Sequence, residues 1–212
     1  MYPSLIIILT LCVLLAIRLA KIRKHQSETE NAFWNREKQA DTAVDRDLNS
    51  LTYITIPLDK FPLHFSEDEA VIMIEEALEE IATHRLLNLN GKTNTDLKIE
   101  YGPGNLDTVQ QMGDDFSQMT ILLCDYAKCL MEVERYHDAL TVLSFGASVR
   151  SDISTNYMLM GDCYQALHQE RKIPAVIEQV KSLHLLLEHK ILDYLEPMVP
   201  EEEQELENFN KD

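Results

Sequence analysis

Thirteen consecutive residues without a charge, 5–17 (LIIILTLCVLLAI), open the hydrophobic pattern, and Leu19, Ala20 and Ile22 prolong it around Arg18. A bilayer core asks for roughly 17–25 helical residues at about 1.5 Å each, so Tyr2 to about Ile22 reaches across if Arg18 snorkels to the interface. Leu5, Ile8, Leu11, Leu15 and Ile17 are the expected anchor residues, and Arg18, Lys21, Arg23 and Lys24 the topology signal. A cleaved signal peptide carries its positive charge before the apolar core and small residues after it; here MYPS is uncharged and RLAKIRKH follows, which favours an anchor. A basic flank stays in the cytoplasm, so the order predicts an N-terminus outside, a single span and a cytoplasmic remainder. So short a span suits a bacterial plasma membrane, with an organelle's outer membrane as the alternative.

From residue 25 the pattern changes to a polar, helix-forming run broken only by Phe33–Trp34, and then to Leu51–Phe65 (LTYITIPLDKFPLHF), where Pro57 and Pro62 exclude a helix. Tyr53, Ile54, Ile56, Leu58, Phe61 and Phe65 are too apolar for a free linker and are expected against the folded domain, permanently or as a displaceable occupant of its groove. Ser66–Glu67–Asp68–Glu69 matches a capping box and predicts a helix start. Val71, Ile74, Leu78 and Ile81 then recur at helical spacing, with Glu75, Glu76, Glu79 and Glu80 expected on a solvated face. That helix is expected to fade near residues 87–89, with GKTNTD and the YGPGN of residues 101–105 as connectors and a further helix from near Leu106.

Apolar and helix-breaking positions recur over residues 120–187 with an offset of 34: Tyr126–Ala127 and Leu130 map onto Met160–Gly161 and Tyr164. This period, and the series Tyr126–Ala127, Leu130, Tyr136, Ala139, Leu143 and Gly146, resemble the tetratricopeptide repeat. The second unit keeps Met160–Gly161 and Tyr164 but has Ile173 and Pro174 where the family has a small residue, with Ile177 in the later position. Pro174 places the start of its second helix near Lys172 or Ile173. The resemblance implies all-α helical hairpins, small residues where the helices of a hairpin cross, and a concave face on the first helices. That face would present Ile121, Cys124, Asp125, Lys128 and Met131, then Thr155, Met158, Leu159, Asp162 and Gln165, as a groove for an apolar, partly basic helix or peptide. Two hairpins need caps; residues 66–119 and 188–199 are expected to supply them.

The expected division is therefore 1–24 anchor and basic flank, 25–65 juxtamembrane helix and connector, 66–119 packing helices, 120–187 two repeats, 188–199 cap and 200–212 a disordered acidic tail. Composition sharpens this. A formal charge of −17 disfavours nucleic acid, and it is uneven: residues 1–25 hold four basic side chains and no acid, leaving −21 on the rest. The four cysteines are spaced too irregularly for a redox pair or zinc knuckles and read as reduced thiols. His184, Glu188 and His189 resemble a zinc motif with one residue too many, which on a helix sets the imidazoles apart. No nucleophile with its base, metal set or phosphate loop is found, so neither an enzyme, a cofactor, a metal nor a small-molecule substrate is expected. The leading expectation is a membrane-anchored adaptor for a protein or peptide partner. Its rivals are a structural subunit of a membrane complex whose groove is filled internally, and an enzyme without a recognisable motif.

Overall fold

Neither glycine nor proline occurs between Pro3 and Asp41, and the first helix, α1 (Pro3–Asp41), runs unbroken through apolar and polar segments alike. The division expected at residues 24/25 is therefore not a break in the chain's path. The computed structural model describes residues 3–200; within α1 the side chains are described from Leu14 onward, except at 16, 17, 20, 25 and 27. Among the described residues no helix is long and apolar enough to cross a membrane. The side chains of Leu5, Ile8, Leu11 and Ile17 lie outside that set, as do the acidic residues after Pro200, while Leu15 is exposed.

The chain divides into two units, the first formed by residues 1–50 and 92–107. Its second helix in space, α3 (Asn94–Tyr101), begins inside the GKTNTD stretch expected to be a connector. The reason is a capping box: the Thr93 hydroxyl accepts from the Asp96 backbone N–H while the Asp96 carboxylate accepts from the Thr93 N–H. Arg36 with Asp96, Glu37 with Thr95 and Lys98 with Asp41 join α3 to the end of α1 over buried Ala40, Leu97 and Tyr101. The loop leaving α1 is fastened as well: the Arg46 N–H donates to the Tyr101 carbonyl (2.9 Å), and the Gly104 N–H to Asp45 Oδ1 (2.8 Å). Gly102 is required here, because its φ is 92° and a Cβ would overlap the Asp45 backbone.

Residues 51–91 and those from 108 onward form the second unit. Its first helix, α2 (Glu69–Ile81), is capped by Asp68, whose carboxylate accepts from the Ala70 N–H (2.8 Å). Ser66, expected as the cap, instead accepts from the Asp68 N–H (3.1 Å). The helix ends at Ile81, short of residues 87–89, because Leu86 turns into the core and pairs in extended form with Ile54. Then come α4 (Leu106–Glu132), α5 (Tyr136–Ser148), α6 (Ser154–Ala166), α7 (Ile173–Leu183) and α8 (Glu188–Leu195). The boundary expected at 119/120 falls inside α4, which has no helix breaker there. The described residues contain no strand, so the chain is all-α.

Left-handed residues punctuate these helices: Glu134, Arg150, His168 and His184 have φ between 50° and 59°. After the first three, the Arg135, Ser151 and Gln169 N–H groups reach back to the Leu130, Gly146 and Tyr164 carbonyls, the long bond of a Schellman motif. Residues 134 and 168, and residues 150 and 184, are each 34 apart. Tyr126, Ala127, Leu130, Ala139 and Leu143 are fully buried, Met160, Gly146, Gly161 and Ile177 buried, and Tyr136 and Tyr164 half-buried against the same core. Gly146, expected at a crossing within its own hairpin, instead meets Asn156 of α6, and Gly161 meets Leu195 of α8, so these glycines serve contacts with the following element. Pro174 sits in the first turn of α7.

His168 occupies a left-handed site on the surface, so His168→Gly is expected to raise stability by about 0.5–1 kcal/mol in urea unfolding. Gly102→Ala is expected to lower the protection of the first unit by about 2 kcal/mol or more in amide exchange, through strain and overlap with Asp45.

Candidate functional site

Residues i, i+4 and i+7 of a helix share one stripe, and two such stripes, Ile121–Asp125–Lys128 on α4 and Met158–Asp162–Gln165 on α6, carry most of the expected groove residues. Both helices contribute to one core, α4 through Leu123, Tyr126, Ala127 and Leu130 and α6 through Tyr157, Met160 and Cys163. Ile121 is 44% exposed. Asp125 and Lys128 form an ion pair across one turn (2.8 Å), both half-exposed, and the Asp125 carboxylate raises the lysine's pKa. On α6, Thr155 and Met158 are half-buried and Gln165 is exposed. Asp162 accepts from the Tyr194 hydroxyl of α8 (2.8 Å).

Three expected groove residues touch the core. Cys124 is 3% exposed and belongs to the core, and Leu159 and Met131 pack against that core while half-buried. Burial pushes the Cys124 and Cys163 thiols up to about 12, and raises Cys129 as well, so they are weak nucleophiles at neutral pH. Cys124, Cys129 and Cys163 are all free thiols, while Cys12 lies outside the described side chains. His184, at the left-handed end of α7, and His189, on α8, are on different sides of a break and share no helix face.

A second constellation escaped the sequence pattern. Glu75, expected on the solvated face of α2, is 2% exposed. Its Oε1 lies 2.9 Å from the Tyr126 hydroxyl of α4 and accepts from the His64 backbone N–H at 2.9 Å. The Tyr126 hydroxyl proton is shared with the Pro62 carbonyl (2.8 Å). Burial, and then the hydrogen bond to Glu75, hold the Tyr126 phenol well above its ordinary pKa, so it stays a donor. Glu75 Oε2 has no hydrogen-bond partner; His64 Nδ1 lies 3.4 Å away, and His64 Nε2 lies 3.7 Å from Glu79. A signal was available: Val71, residue 75 and Leu78 are spaced four and three apart, which puts Glu75 in the buried stripe. Its side chain contradicted that place, because a carboxylate is buried only when partners from outside the helix await it.

These contacts fasten residues 51–65 along the second unit as a strap. Phe61 meets Phe145 of α5 edge-on (5.9 Å), Phe65 packs on Tyr126 beneath the Arg135 guanidinium, and the Ile54 N–H donates to the Leu86 carbonyl (3.1 Å). Ile56 and Phe61 are buried, and Ile54, Leu58 and Phe65 half-buried against the core, while Tyr53 stacks with Arg85. Chemically the Glu75 cluster is a latch: one buried acceptor holds two other segments to α2.

No family model, curated protein or solved structure matches the chain.

Removing the Tyr126 hydroxyl leaves the ring packing intact but deprives Glu75 and Pro62 of a shared donor. Tyr126→Phe is therefore expected to cost about 1–3 kcal/mol, with amide exchange quickening first at residues 63–65. The thiols make a pH prediction. Their folded pKa values are raised, so above about 9 the unfolded chain ionises first and holds fewer protons. Stability should fall as pH rises from about 9 to about 12, and Cys124→Ser with Cys163→Ala should flatten that part of a urea-unfolding pH series.

Proposed function

We propose that this chain is a membrane-anchored helical-repeat adaptor of tetratricopeptide type. Its anchor is the apolar run ending near Ile22, its N-terminus lies outside, and its helical units hold a protein or peptide partner at the cytoplasmic face. The observation that carries the reading is the recurrence of left-handed turn residues 134/168 and 150/184 at the same 34-residue spacing as the apolar pattern, with a partly exposed, mixed apolar and polar stripe on the first helix of each hairpin. A partner helix with an apolar face and some basic residues suits Ile121 and Met158 beside Asp125 and Asp162. Tethering raises the effective concentration of anything bound near the bilayer, so modest affinity is enough.

One observation favours a second reading, a structural subunit whose groove is filled from within. Asp162 is occupied by Tyr194 of α8, so part of the stripe on α6 is already engaged.

Ile121→Glu with Met158→Glu separates the two readings, since both positions are partly solvated and the fold should survive, as checked by circular dichroism. The adaptor reading expects crosslinked co-purification from the native membrane to lose its specific partner by at least about ten-fold, equivalent to about 1.4 kcal/mol. Unchanged co-purification sinks it and leaves the subunit reading.

A further inference from the structure

Arg18, Lys21, Arg23 and Lys24 are all exposed on α1, and the first acidic residue of the chain is Glu28. At about 100° and 1.5 Å per residue they point to about 0°, 300°, 140° and 240° around the helix, within about 9 Å of its length. A helix lying flat on a lipid surface gathers its cations along one stripe beside an apolar face. Here the cations take about 220° of the circumference and leave about 140° to Leu15, Leu19 and Ile22; flat or standing, the helix brings such a band into the headgroup layer, which adds about 5–8 Å to each side of a bilayer core. Leu14, Leu15, Leu19 and Ile22 are exposed in the same stretch, before and between the cations, so apolar surface and charge overlap there. Lys24 Nζ is 3.9 Å from Glu28 Oε1, both side chains solvated, a separation that leaves the ammonium free to take another anion. The rest of the chain carries −21, which directs an anionic surface to this band and away from everything after it.

We infer that Arg18, Lys21, Arg23 and Lys24 form a collar around α1 that gathers anionic phospholipid headgroups. The upright orientation rests on the anchor proposed above; the affinity for an anionic surface does not. Arg18 and Arg23 supply forked donors that match two phosphate oxygens, and Lys21 and Lys24 supply compact charges.

The test dilutes the full chain from mild detergent into an equal mixture of neutral phosphatidylcholine vesicles and vesicles that also contain phosphatidylglycerol, made separable by density. The collar predicts a preference for the anionic vesicles of about ten-fold or more at low salt, shrinking to about two-fold or less near 0.5 M, where screening acts within a few Å. R18Q/K21Q/R23Q/K24Q should lose the preference while still floating with neutral vesicles. Equal distribution of the unmodified chain overturns the collar and leaves the anchor standing, and a preference that survives in the quadruple variant overturns the assignment to these residues. Flotation with anionic vesicles alone, released by salt, keeps the collar and overturns the anchor. No flotation at all overturns both.

Discussion

On the proposed reading the second unit is a stack of helical hairpins, which has two open ends, each exposing a face as apolar as the interior. The unit then depends on how those ends are closed. At one end α8 lies on α6, with Leu195 fully buried and set so close to Gly161 that a Cβ there would have to push the Leu195 side chain aside. At the other end the cover is partly non-helical: the strap of residues 51–65 brings Ile56, Phe61 and Phe65 to α4 and α5. A strap has backbone groups to satisfy as well as side chains to bury. That requirement accounts for three polar features of this end: the Ile54–Leu86 bridge, the acceptor at Glu75 for the His64 N–H, and the Tyr126 hydroxyl that donates to the Pro62 carbonyl.

The difference between the ends explains what could be read from the sequence. A helix start marked by proline was legible: α7 opens at Ile173, directly before Pro174. Left-handed turns at Glu134, Arg150, His168 and His184 were not, because a glycine would have marked them and these residues do not. α3 was missed because GKTNTD was weighed by composition, although Thr93-x-x-Asp96 has the capping spacing used at residues 66–69. There the pattern placed the helix start correctly to within a few residues but chose Ser66 over Asp68, two oxygens that compete for neighbouring N–H groups.

The candidate site was half legible for a related reason. The resemblance assigned Ile121, Asp125 and Lys128 of α4 and Met158, Asp162 and Gln165 of α6 to the groove, and these residues keep at least partial exposure. Repeat position alone did not separate that face from its border: Cys124, one turn from Lys128, lies in the core. Glu75 is the reverse case. Its position belonged to the buried stripe and its chemistry to the surface, and only the three-dimensional arrangement of Tyr126, Pro62 and His64 resolves the conflict.

On the proposed reading, the uneven charge of the chain poses a problem that α1 solves by its length. An anionic bilayer attracts the four cations of α1 and repels the −21 that follows. The repulsion fades over a Debye length of about 8 Å at physiological salt. From Lys24 to Asp41 the helix rises about 26 Å, roughly three such lengths. Asp41 is itself fixed, through Lys98, to α3, whose other links to α1 run through Arg36 and Glu37. A flexible linker of equal residue count would let acidic segments collapse towards the surface or drift from it. A continuous helix fastened at its far end holds the chain's exit from α1 at a set height. Attraction at the collar and repulsion beyond it then act on different parts of one rigid rod, and they favour the same upright orientation.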